Sequence, residues 1–168
     1  MSKKINIGIT IGDPSGIGPE VVVKSLARLA PSRQTSLFVF GDKAALAAGG
    51  LKKHNDTFKV VDHAIIKPSE IKFGIVSKKS GYASLEYLKS AVSFLKKGII
   101  DCLVTAPVNK QAIHLSEAFF TGHTEFLARC FHAKIFAMMF IARDMRVSVV
   151  TRHIALARVA ASLTQEMI

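Results

Sequence analysis

Ile5-Asn6-Ile7-Gly8-Ile9-Thr10-Ile11 leads straight into Gly12-Asp13-Pro14-Ser15-Gly16-Ile17-Gly18-Pro19-Glu20, after which apolar residues recur at helical spacing to position 29. The isoleucine-rich run reads as a strand, the glycines and prolines break it, and the spacing beyond predicts a helix. A second apolar strand at 37–40 is closed by Gly41-Asp42. A helix-like stretch follows at 43–48 and stops at Gly49-Gly50. Strand and helix in alternation point to an α/β fold with a mainly parallel sheet and flanking helices.

Residues 52–79 are less regular, with a strand expected at 58–61 and Pro68 in a connection. Over 80–97, Leu85, Leu88, Ala91, Val92 and Leu95 share one face and Gly98 ends the pattern, which predicts an amphipathic helix. Residues 99–105 read as a buried strand containing Cys102. Further on come a helix from about 123 to 131, strands at 136–141 and 147–151 separated by Arg143-Asp144, and a helix over 154–163. There is no internal repeat, no low-complexity tract and no linker that marks an internal boundary.

With 49% hydrophobic and 21% charged residues in 168, the chain has the composition of a folded domain and excludes a disordered one. Its 23 Lys+Arg against 12 Asp+Glu give a net charge of +11, which attracts anionic ligands. The basic residues fall in short pairs (Lys3-Lys4, Lys52-Lys53, Lys78-Lys79, Lys96-Lys97) without a basic helix or interleaved aromatics, so a solvated surface is expected and not a nucleic-acid site. Cys102 and Cys130 lack paired spacing and read as buried free thiols in a reducing compartment. No apolar run reaches the length of a membrane span and no leader pattern follows Lys4. The expectation is a cytoplasmic protein with no membrane partner.

Four motifs carry chemistry. The loop 12–20 places backbone amides at a helix start, where they can meet a phosphate. It lacks both the Walker lysine and the dinucleotide glycine spacing. Asp13, Gly16 and Gly18 are its candidate cofactor contacts, and Asp13 has a second reading as a turn cap. Thr105-Ala106-Pro107-Val108-Asn109-Lys110 leaves a strand end, where ligands gather in open α/β sheets, so Lys110 is a candidate for a substrate phosphate or simply a solvated lysine. In Thr121-Gly122-His123-Thr124-Glu125-Phe126, His123 and Thr124 can hydrogen-bond a phosphate or carboxylate. Alternatively Thr121 or Thr124 caps the helix and His123 is incidental. His153 in Thr151-Arg152-His153 stands at a strand end like a metal ligand, though catalytic sites need about three protein ligands. His54, His63, His114 and His132 default to surface or capping roles.

These motifs, extended by Phe120 and by Ile154-Ala155-Leu156, resemble the 4-hydroxythreonine-4-phosphate dehydrogenase family, NAD-dependent enzymes of pyridoxal phosphate biosynthesis. Gly16-Ile17-Gly18-Pro19-Glu20 is similar to isocitrate and isopropylmalate dehydrogenases, whose two-domain α/β fold the resemblance implies. It implies that His123 and Thr124 contact substrate and that His153 is the first of three histidines on a divalent metal (zinc, magnesium or cobalt). The implied reaction passes hydride from 4-phosphooxy-L-threonine to NAD, or NADP, while the metal polarises the substrate oxygen. The 3-oxo acid then loses carbon dioxide to give 3-amino-2-oxopropyl phosphate. A homodimer is implied as well.

Members of that family run to roughly twice this length. Residues 1–168 are therefore expected to match the amino-terminal part of a two-domain dehydrogenase, an incomplete one, without the later Asn-Pro-His and His-Asp-Gln-Gly motifs. Two other readings stand beside this one: a dehydrogenase of 4-phospho-threonate or 4-phospho-erythronate, and a truncated, non-catalytic fragment.

Overall fold

The computed structural model describes residues 4–30, 32–52, 57–117 and 119–167. Lys3 and Lys53, from two of the basic pairs, and His54 lie outside them. The chain divides into two compact units, Met1–Leu127 and Ala128–Ile168.

The first unit runs β1 (Ile5–Thr10), α1 (Gly18–Arg28), β2 (Thr35–Gly41), α2 (Lys43–Ala48), β3 (Phe58–Asp62), α3 (Lys78–Lys96), β4 (Cys102–Thr105) and α4 (Lys110–His114), and α5 (His123–Cys130) begins in it. The four strands form one parallel sheet in the order β3-β2-β1-β4. Helices cover it because consecutive parallel strands require crossovers. On one face Phe94 of α3 meets Phe38 and Phe40 of β2 edge-on, with ring centroids 6.4 and 5.0 Å away. Gly8 of β1 makes room there, since a Cβ would lie 2.5 Å from Ile100 Cδ1 and 3.2 Å from Phe40. On the other face α1 sets Val22 and Leu26 beside Ile7, Ile9 and Leu37, around an apolar groove of about 360 Å³ that opens toward β4.

Each helix begins and ends as its residues dictate. Pro19 sits in the first turn of α1, with Glu20 near its start and Arg28 in its last turn, as the helix dipole favours. Ser77 caps α3 by accepting the Ser80 amide, and Gly98 leaves the helix at φ +66. Along α3, Leu85, Leu88, Ala91 and Val92 are buried, in line with the predicted stripe.

Residues 99–105 depart from expectation. The ladder starts only at Cys102, because the Asn6 amide donates to Asp101 Oδ2 and the Asn6 side chain to the Ile99 carbonyl, which holds the chain outside the register. Among the described residues β4 pairs only with β1, and as an edge strand it leaves Val104 52% exposed. The Cys102 thiol is therefore exposed, not buried, and Cys130 is half-buried; both are free. His63 also differs from its surface assignment, being half-buried with its ring edge-on to Tyr87 at 5.1 Å.

In the second unit β5 (Met138–Ala142) and β6 (Met145–Val149) pair as an antiparallel hairpin around Arg143-Asp144, with Arg143 at φ +51. The helix expected at 154–163 is reduced to a 3₁₀ turn at Leu156–Arg158 and a single turn, α6 (Val159–Ser162). Leu156 is exposed, so the apolar positions that predicted the helix have no surface to pack on, and short unsupported helices do not propagate.

Candidate active site

Strand order decides where a ligand can enter. The chain leaves β1 toward β2 and β3 on one side, while β4 lies on the other, so the loops following β1 and β4 flank a topological switch point. In open parallel sheets the crevice at such a point collects ligands. The two loops are joined here: Ala106 N–H donates to the Thr10 carbonyl at 3.0 Å and Asp13 N–H to the Pro107 carbonyl at 3.0 Å. Gly12 lets them close. It takes φ +70, and a Cβ on it would lie 2.1 Å from the Pro107 oxygen.

Within the β1 loop, Asp13 is buried and its Oδ1 accepts the Ser15 amide at 2.9 Å, while its carbonyl accepts the Gly16 amide. Burial raises its pKa, and the Ser15 amide opposes that. Asp13 thus fulfils the turn-capping reading. Gly18 packs α1 against β1, since a Cβ there would come within 2.1 Å of the Ile11 carbonyl oxygen. Gly16 rests on Asp13, with 3.3 Å between its would-be Cβ and the Asp13 Cβ. No side-chain hydrogen bond caps α1, and Pro19 in its first turn has no N–H, so the amides left for an anion are those of the residues around it. This suits the phosphates of a dinucleotide better than it suits direct coordination by the Asp13 carboxyl.

Past Pro107, Asn109 Oδ1 accepts the Ala112 amide at 3.0 Å and caps α4, which fixes Lys110 as its first residue. Lys110 Nζ lies 3.6 Å, and Glu125 Oε2 3.0 Å, from the point a Gly122 Cβ would occupy. The absent side chain of Gly122 therefore lets an ammonium and a carboxylate converge beside the start of α5. His123 is half-buried there, edge-on to the buried Phe120 at 6.2 Å, and its Nε2 is shielded from solvent with no hydrogen-bond partner. Burial chiefly, and the Lys110 charge secondarily, push the His123 pKa down. Neutral at pH 7, the ring can offer one nitrogen as donor or acceptor. Thr124 follows it, half-buried.

The structure thus brings together Lys110 and His123, 13 positions apart in sequence, and adds Glu125, which sequence reading placed only at a helix start. Gly12 was legible as a loop glycine but not as the residue whose missing side chain lets the two loops join. His153 belongs to the second unit, exposed at φ +54, beside Arg152, whose guanidinium lies 4.4 Å over the Phe136 ring. Among the described residues no three His, Cys, Asp or Glu side chains converge on a common point. A complete divalent-metal site does not fit within them.

The sequence profile of the pyridoxal phosphate biosynthetic protein PdxA family matches residues 16–168. The chain belongs to this family. It is 35% identical over 176 residues to a 4-hydroxythreonine-4-phosphate dehydrogenase of Sulfurihydrogenibium sp. (strain YO3AOP1), covering 98% of this chain and 54% of the relative. It is 32% identical over 185 residues to a Clostridium botulinum (strain Hall) protein provisionally named as a D-threonate 4-phosphate dehydrogenase, covering 100% and 55%. A crystal structure of a 4-hydroxythreonine-4-phosphate dehydrogenase from Burkholderia phymatum superposes with a TM-score of 0.83 at 31% identity, over 99% of this chain and 55% of that one. The chain spans about half the length of these PdxA relatives.

Proposed function

We propose that this chain forms the substrate-binding and cofactor-facing part of an NAD-dependent dehydrogenase acting on 4-phosphooxy-L-threonine in pyridoxal phosphate biosynthesis. The observation that carries this reading is the placing of Lys110 Nζ beside Gly122, immediately before His123, at the start of α5. An ammonium, a ring nitrogen and the leading amides of a helix form a receptor for a phosphate or carboxylate. Thr124 adds a hydroxyl. Lys110 would neutralise the anion and His123 would orient it, setting the substrate's secondary alcohol toward the crevice between the β1 and β4 loops. Oxidation would take two electrons as hydride from that carbon and release the hydroxyl proton, and NAD, when bound, would supply the hydride acceptor. Asp13, Gly16 and Gly18 would hold the cofactor through the backbone they shape. His153 would supply one ligand of a zinc, magnesium or cobalt ion whose other ligands come from outside this chain. The free thiols support a reducing, cytoplasmic setting, and the family supports a homodimer.

The relative named for D-threonate 4-phosphate favours a second reading, in which the same receptor takes that phosphorylated acid. A third reading, a fragment that binds anions without turnover, follows from the chain's spanning half of its relatives. Ligand-observed NMR on the purified chain with 4-phosphooxy-L-threonine and D-threonate 4-phosphate, alongside NADH formation by absorbance, separates the three. Binding that falls tenfold or more in Lys110→Met and His123→Ala is expected, from the loss of charge-assisted bonds worth about 1.5–3 kcal/mol. Unchanged binding in both variants would remove these residues from the site.

A further inference from the structure

The connection from β3 to α3 carries exposed apolar groups beside the loop that follows β1. After a 3₁₀ turn at Pro68–Glu70 the chain makes a β-turn over 72–75, in which the Ile75 amide donates to the Lys72 carbonyl at 3.1 Å and Gly74 takes φ +75 at the third position. That is a type II turn, which requires a left-handed third residue and sets the second outward. The second residue is Phe73, 56% exposed, and Ile75 is also 56% exposed. A Cβ on Gly74 would meet nothing within 4 Å, so the glycine answers to backbone conformation and not to crowding.

This turn is tied down on every side. The Gly74 amide donates to the Ser15 carbonyl at 2.9 Å, which fastens the turn to the β1 loop. The Ser15 and Ser80 hydroxyls are 2.8 Å apart and Ser77 Oγ donates to Ser80 Oγ, locking the loop to the first turn of α3. Lys79 Nζ bonds both oxygens of Glu70 at 2.7 and 2.6 Å across the base of the strap. A solvated loop needs none of these anchors. What they hold in place is an aromatic ring open to solvent, preceded in sequence by Lys72, on a turn fastened to the loop that leads into α1. A rigid apolar plate fastened to the loop proposed to meet the cofactor's phosphates suits a flat heteroaromatic ring joined to them, and ordering the plate in advance reduces the cost of binding.

We infer that Phe73 is a stacking platform for a planar base of the dinucleotide cofactor, an assignment that rests on the proposed cofactor role of the β1 loop. Adenine and nicotinamide share the chemistry, and mononucleotides tell them apart. Saturation-transfer NMR titrations of the 168-residue chain with NAD, AMP and nicotinamide mononucleotide provide the test, with thermal melts run alongside. Phe73→Ala is expected to raise the Kd for NAD roughly two- to tenfold, as loss of one aromatic stack does. It should do the same to the mononucleotide that carries the stacked ring, with no change in melting temperature. Phe73→Tyr should bind as the parent does, and Phe73→Leu should bind as weakly as Phe73→Ala. NAD binding that is unaltered in Phe73→Ala, or fully retained in Phe73→Leu, overturns the platform and leaves the cofactor role of the β1 loop standing. Absence of any NAD signal from the parent chain overturns both.

Discussion

Asp13 donates its amide to the Pro107 carbonyl at 3.0 Å, so the loop after β1 and the loop after β4 are one structure across the switch point. Gly12 precedes that bond at φ +70 with no space for a Cβ beside Pro107. Gly12→Ala adds a left-handed penalty of about 1–2 kcal/mol to a backbone clash that only separation of the loops can relieve. A loss of about 2 kcal/mol or more in urea unfolding is expected. An unchanged midpoint would show that the loops part freely and that the crevice is not fixed by this contact.

Helix propensity and packing oppose each other at Gly81. Alanine in a helix interior is favoured over glycine by about 1 kcal/mol, so propensity alone predicts a more stable protein. A Cβ on Gly81 would lie 1.9 Å from the Ala112 carbonyl oxygen, however, and α4 would have to move away from α3. Because α4 carries Lys110, Gly81→Ala should lower stability by about 1–3 kcal/mol and also weaken phosphorylated-substrate binding. Calorimetry and the NMR titration report the two effects separately. A raised melting temperature would mean that propensity wins.

The parallel sheet was legible because strand and helix periods alternate cleanly from residue 5 to residue 48, and α3 because its apolar stripe from Leu85 to Leu95 repeats over about three turns. Register and edges were not legible. An apolar run such as 99–105 looks the same in a central strand and at an edge, and only Asn6 reaching to Asp101 and Ile99 determines where pairing starts. Lys110 and His123 were legible as candidates from their punctuated contexts, while their juxtaposition depends on Gly122, whose role is steric and leaves no mark in composition. Asp13 looked equally like a ligand contact and a cap, and its Oδ1 does accept the Ser15 amide.

The depressed pKa of His123 sets a pH window for stability. In the unfolded chain the ring titrates near 6.5, and in the folded one it does so lower, because burial and Lys110 disfavour the cation. Between those two values the unfolded state holds a proton that the folded state does not, so stability falls as pH drops below about 6.5 and levels off beneath the folded pKa. His123→Gln keeps a polar side chain without that titration and should flatten this part of a melting-temperature profile. An identical profile in the parent and the variant would place the pH dependence elsewhere and show that the ring is solvated.

The hairpin of the second unit exposes apolar residues on both faces. Successive strand residues point to opposite sides, yet the adjacent Phe140 and Ile141 are 60% and 69% exposed, and Met139 and Met145 are exposed too. An isolated two-stranded hairpin is marginal in water, and bare apolar strands of this kind pair with whatever apolar surface they meet. The 168-residue chain is therefore expected to self-associate at tens of micromolar, an order-of-magnitude concentration at which exposed apolar strands associate. Phe140→Lys with Ile141→Lys places one charge on each face and should return the protein to a monomer while leaving the sheet unit's melting transition in place. Light scattering coupled to size exclusion reads the mass directly. A parent chain that stays monomeric over that range, or a double variant that associates as strongly as the parent, would show that the hairpin does not drive assembly.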